Sequence, residues 1–137
     1  MFQQPSDREI RDRLKQIRRI AVVGLSPNPT RPSYRVSSRM QRWGFEIVPV
    51  RPAVTSVLDS PAFGSLAEVP GQIDLVNVFR NASELDVIVD DCIALNLPAL
   101  WIQQGIINES AAARAQAAGI WVVMDRCLMV EYNRLCL

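Results

Sequence analysis

Along this chain, short unbroken apolar runs alternate with stretches in which apolar positions recur every three or four residues. Ser6-Asp7-Arg8-Glu9 has the form of a capping box, and Ile10, Leu14 and Ile17 follow at helical spacing, which predicts an amphipathic helix near residues 6–17. Ile20 to Leu25 is a continuous apolar run, the signature of a strand covered on both faces. A polar, proline-rich stretch at 26–32 breaks it. The pattern then predicts a helix from about Ser33 to Trp43 closed by Gly44, and a second strand at Phe45 to Val50. Residues 51–72 are rich in Pro, Ser and Gly and predict at most a short extended piece. Beyond them come a strand at Ile73 to Phe79 and a helix from Ser83 to about Leu95, with Leu85, Ile88, Val89 and Cys92 on one face. Next are a strand at Ala99 to Ile102, an Ala-rich helix from its cap Asn108 to Ala118, and a last strand at Ile120 to Met124.

Strands alternating with helices predict an α/β fold. The expectation is a three-layer, Rossmann-like, doubly wound parallel sheet of about five strands with right-handed crossovers. The 137 residues suit a single domain with one core, and no repeat or linker interrupts them. No apolar run approaches the roughly 18 residues of a membrane span, and the charged N-terminus is unlike a secretory signal, so a cytoplasmic location without membrane association is expected. Cys92, Cys127 and Cys136 are odd in number and form no C-x-x-C pair, which predicts reduced thiols rather than a disulfide framework.

The chain has no histidine, which excludes Ser-His-Asp and Cys-His catalysis and His-liganded zinc. Its net charge is only +1, so no general attraction to nucleic acid is expected. The charge is unevenly spread. Residues 1–51 carry 11 basic and 4 acidic side chains, whereas residues 52–137 carry 4 basic and 10 acidic. A local anion site in the first half is one reading of that asymmetry, and solvated helix faces are the other.

In an open parallel sheet, ligands bind beyond the carboxyl ends of the strands. The first strand runs into Gly24-Leu25-Ser26-Pro27-Asn28-Pro29-Thr30-Arg31-Pro32-Ser33. Gly24 permits close backbone approach, Ser26 and Asn28 are short polar groups, Arg31 is a cation, and the following helix presents free N–H groups to a phosphate or pyrophosphate. The second strand ends Val50-Arg51-Pro52, where NAD binders carry an acid. An arginine there suits a phosphorylated ribose, as in coenzyme A or NADP. Phe79-Arg80 ends the third strand with an aromatic face and a guanidinium. Gln103-Gln104-Gly105 ends the fourth with amides that can fix a polar chain.

V-V-G-L-S-P-N-P-x-R-P-S-Y at 22–34, D-L-V-N-V-F-R at 74–80, W-I-Q-Q-G at 101–105, A-A-A-R-A-x-A-A-G at 111–119 and V-V-M-D-R-C at 122–127 together resemble the small stand-alone CoA-binding domain proteins of bacteria. That family is similar in fold to the N-terminal domain of the succinyl-CoA ligase α subunit. The resemblance implies a Rossmann-like domain that binds CoA and no nicotinamide, with phosphates held at Gly24 to Arg31 and Arg51 near the adenosine phosphate. It also implies that Phe79-Arg80 and Gln103-Gln104-Gly105 line the groove. The ligase's phosphorylated histidine belongs to a domain absent here, so ligase chemistry is not implied.

The function expected is therefore non-catalytic binding of coenzyme A or an acyl-CoA. An NADP-dependent reductase is the alternative, and a pure interaction protein a third reading. The adjacent Asp90 and Asp91 point apart on a helix and are expected to be solvated. Trp43, Trp101 and Trp121 are expected in the core. At Asp125-Arg126-Cys127 two readings stand: a turn in which Asp125 caps a C-terminal helix, or a reactive thiol at that helix's N-terminus.

Overall fold

The apolar runs become strands and the periodic stretches become helices in a computed structural model that describes residues 1–137. The strands are β1 (Arg19–Val23), β2 (Glu46–Val50), β3 (Ser56–Val57), β4 (Ser60–Pro61), β5 (Leu75–Val78), β6 (Ala99–Ile102) and β7 (Trp121–Met124). The helices are α1 (Asp7–Leu14), α2 (Pro32–Arg42), α3 (Leu85–Ala94), α4 (Glu109–Ala117) and α5 (Leu128–Cys136). Five strands form one parallel sheet in the order β2-β1-β5-β6-β7, the expected Rossmann-like arrangement.

Period-two alternation divides each strand between two cores. Ile20 and Val22 of β1, Leu75 of β5, Ala99 and Trp101 of β6 and Val123 of β7 pack under α1, α2 and α5. Ala21, Val76, Val78, Leu100, Ile102 and Val122 face α3 and α4. The alanines Ala111, Ala112 and Ala115 are fully buried, which lets α4 lie close to the sheet. No helix is long and apolar enough to cross a membrane.

The capping box forms as expected: Glu9 N–H donates to Ser6 Oγ and Ser6 N–H donates to Glu9 Oε1. α1 nevertheless ends at Leu14, earlier than the periodicity predicts. Lys15 and Gln16 turn the chain, and Ile17 reaches the core from outside the helix. The same helix is tied to the C-terminus, where Arg134 donates to both oxygens of Asp7 at 2.9 Å. That hydrogen-bonded guanidinium holds the Asp7 carboxyl below the usual carboxylate range.

Residues 51–72 fold more than their composition indicates. β3 and β4 pair as a tiny hairpin whose corner residues, Leu58 and Asp59, both adopt positive φ (+54° and +59°). Asn-Gly is the usual choice for such a corner. Here Gln41 Nε2 of α2 holds it by donating to Leu58 O at 3.0 Å. The chain then returns to β2, where Arg51 N–H donates to Phe63 O at 2.8 Å.

Two aspartates hold elements of the fold together. Asp74 lies at the amino edge of the sheet, where Oδ2 accepts from the N–H groups of Arg18 and Arg19. Asp90 joins α3 to α4 through Arg114.

Candidate functional site

Strand order reverses between β1 and β5, since β1 leads outward to β2 while β5 leads the other way to β6 and β7. The crevice that this opens lies beyond Val23 and Val78. Gly24 closes its floor: its N–H donates to Val50 O at 2.9 Å, and Phe79 N–H donates to Val23 O at 2.9 Å. Gly24 has φ +85°, and a Cβ there would stand 2.6 Å from Phe79 O and 2.7 Å from Arg80 Cδ. Only glycine fits.

Three adjoining hollows run along this carboxyl edge. The first, about 410 Å³, is walled by Gly24, Ser26, Asn28, Arg31, Arg51 and Phe79. The second, about 550 Å³, shares Pro32 and Phe79 with the first and adds Arg35, Arg80, Gln103, Gln104, Gly105 and Cys127. The third, about 310 Å³, lies under Val50 and Pro52 and meets the others at Gly24 and Arg80. The strand-end residues singled out in the sequence are thereby gathered on one edge. Leu25 is the exception. Its side chain is fully buried in the core and lines none of the hollows.

In the first hollow the short polar side chains serve the loop itself. Ser26 N–H donates to Ser33 Oγ, Asn28 N–H to Ser26 Oγ, and Thr30 N–H and Oγ1 both to Asn28 Oδ1. What remains for a ligand is backbone and cation. The N–H group of Ser33 donates to no protein acceptor, and Ser33 is in the first turn of α2, whose N-cap, Arg31, supplies no side-chain cap. Arg31 and Arg51 enter no ion pair, nor does Arg35, one turn further along α2. A free amide at a helix start beside unpaired guanidinium groups is a donor set of the kind that suits an anion.

The second hollow is built differently. Pro32, Val36, Phe79, Ile106 and Met129 give it apolar walls. Gln103, 4% exposed, accepts the N–H of Leu128 on Oε1 at 2.9 Å and so caps the start of α5. Asp125 does not cap that helix. Held at φ +60°, it accepts the N–H of Gly105 on Oδ1 at 2.8 Å and fixes the neighbouring loop instead. Arg126 is half-buried and pairs with Glu131 at 3.5 Å rather than standing free. Trp101 is fully buried and lines none of the hollows; its indole N–H donates to Arg126 O at 2.8 Å. Arg80 is drawn to Glu84 at 2.7 Å, at the junction of the second and third hollows. Arg35 and Met129 are lining residues that the strand-end rule passes over, because they reach the hollow from helices; the i+4 spacing of Arg35 from Arg31 is the signal that could have found the former.

Known proteins agree with this architecture. The chain is 42% identical over 131 residues to the uncharacterized protein YneT of Bacillus subtilis, covering 96% of this chain and 97% of that one. A solved structure from Thermus thermophilus, cell-free ID.343, superposes with a TM-score of 0.91 at 34% identity, covering 96% of this chain and 99% of that one. A hypothetical protein from Pyrococcus horikoshii OT3 superposes with a TM-score of 0.92 at 29% identity, covering 98% and 97%. Residues 18–133, which contain the whole sheet and all three hollows, match the family model described as CoA binding domain, and the chain belongs to that family.

Proposed function

We propose that this protein binds coenzyme A, free or acylated, along the carboxyl edge of its sheet and does not turn it over. The observation that carries this reading is the contrast within one groove: a free helix-start amide with the unpaired Arg31 and Arg51 at one end, apolar walls with a buried amide at the other. Coenzyme A has the same polarity. Its pyrophosphate suits the N–H group of Ser33 with Arg31, and its 3′-phosphate suits Arg51. Val50, Leu66 and Ile88 in the third hollow offer adenine an apolar wall. The pantetheine arm, with methyl groups and amides in turn, suits the second hollow. Family membership supports CoA as the ligand class. For the absence of turnover, the support is that the chain has no histidine and that Glu84, a carboxylate at the crevice, is engaged by Arg80.

NADP also carries a ribose phosphate that Arg51 could meet, so the test must separate the two. Calorimetric titration should give a micromolar Kd for CoA and weaker binding of dephospho-CoA, by about 1–3 kcal/mol for one lost charge-assisted contact. Arg51→Ala should close most of that gap. NADPH binding tighter than CoA would overturn the reading.

A further inference from the structure

We propose that Cys127 is a covalent tether for the ligand: the thiol end of coenzyme A in the second hollow exchanges into a mixed disulfide with Cys127 Sγ. The proposal rests on the binding reading above and adds a chemical step to it.

Cys127 is the N-cap residue of α5, and its side chain makes no capping hydrogen bond. It lines the second hollow beside Arg35, Gln103 and Met129. A thiol at a helix start would carry little by itself. The independent observation is Gln103, which is more than nine-tenths buried. Because its Oε1 accepts from Leu128 N–H, the orientation of the amide is fixed; the reverse would set two donors against each other. Nε2 is then left facing the hollow with no protein acceptor. Nε2 is open to the hollow rather than sealed in the core, so a carbonyl placed in the hollow would accept a hydrogen bond from it. The pantetheine arm carries amide carbonyls along a chain that ends in a thiol. A ligand that satisfies Gln103 in this way brings its own sulfur to the wall that Cys127 occupies.

The other two thiols are elsewhere. Cys92 is buried beneath α3 in the opposite core, where loss of hydration pushes its pKa up to about 12. Cys136 is at the far end of α5, beside the carbonyl of Arg11, and burial raises its pKa as well.

The exchange partner is the disulfide of coenzyme A with itself. The Cys127 thiolate attacks one sulfur of that disulfide, a new Sγ–S bond forms, and the old S–S bond breaks. The departing half leaves as CoA thiolate with the electron pair and takes up the proton that Cys127 released. One disulfide is consumed and one is made, so no further oxidant enters. Excess thiol reverses the step, which would make the protein a CoA store that releases its load under reducing conditions.

The test uses the reduced full-length chain, CoA disulfide, and glutathione disulfide as a control of the same chemistry. Peptide mass spectrometry should find one CoA adduct per chain on Cys127, removed by dithiothreitol. Its rate should saturate with CoA disulfide at micromolar concentration and exceed the glutathione reaction at least tenfold, whereas Cys136 should show no such preference. Cys127→Ser should lose the adduct with an unchanged unfolding transition; the wild-type rate comparison stands even if that variant fails to fold. Normal CoA binding with an adduct only on Cys136, or with equal rates for the two disulfides, would overturn the tether and leave the binding reading intact. No binding of CoA at all would remove both.

Discussion

The two ends of the groove solve different recognition problems with opposite means. At the β1–α2 loop, Ser26, Asn28, Thr30 and Ser33 bond to one another, and the ligand is left with a backbone amide and arginines. At the α5 end, two backbone amides are instead taken up by side chains: Gln103 takes Leu128 N–H and Asp125 takes Gly105 N–H. What the second end adds is an apolar wall, a buried amide and a thiol, with Arg35 at its rim. The lesson is that the type of a polar residue at a strand end does not reveal its role. A side chain that looks like a ligand group can be the scaffold, and the groups it frees can be the ligands.

The severest way to break this contrast is at the point where the ends meet. Gly24→Val should cost roughly 2 kcal/mol from the left-handed backbone alone, with a further penalty from overlap at 2.6 Å with Phe79 O. CoA binding should fall below detection, and chemical denaturation should register the instability. Wild-type affinity in this variant would place the ligand elsewhere.

Gln103 sharpens the comparison because its two amide atoms do different work. Gln103→Ala should destabilise the fold by about 1–3 kcal/mol, since Leu128 N–H loses a buried acceptor. Gln103→Glu keeps that acceptor and removes the donor. It should therefore fold nearly normally yet bind CoA more weakly, with the difference between CoA and dephospho-CoA unchanged. A changed difference would mean that the two ends are not independent.

A smaller, graded effect comes from Cys92, the buried counterpart to the thiol in the groove. Its folded pKa of about 12 lies above the ordinary thiol value of 9.0. Between those values the unfolded chain has released the proton and the folded chain still holds it. Folding is thus fully favoured below pH 9 and loses stability as pH rises, by up to about 1.4 kcal/mol per unit. Cys92→Ala should flatten this alkaline slope in pH-dependent denaturation, and iodoacetamide near pH 8 should label Cys127 well ahead of Cys92.

How much of this was legible in the sequence follows from the range of the interactions involved. The strands of the parallel sheet were, because a strand buried on both faces must be apolar throughout, as in Leu100-Trp101-Ile102. The helix starts were too, where the signal is local: Ser6 with Glu9, and Asn108, whose Oδ1 accepts from Ala111 N–H. The edge on which the site residues gather also followed from the order of elements. What could not be read depends on partners distant in the chain. The hairpin at Leu58-Asp59 is held by Gln41, and the assignment of Asp125 to Gly105 rather than to α5 depends on how two loops meet. The burial of Leu25 is likewise decided by packing beneath α2 and α5, which residue type alone does not set, whereas Trp101 is in the core as its apolar strand implies.

The central claim, that coenzyme A spans both ends, can be tested directly by amide chemical shifts in a titration with CoA. The backbone N–H group of Ser33 and the side-chain NH₂ of Gln103 should move together and saturate at one CoA per chain, with dephospho-CoA sparing the surroundings of Arg51. Shifts confined to one end of the groove, or centred on the outer faces of α3 and α4, would contradict it.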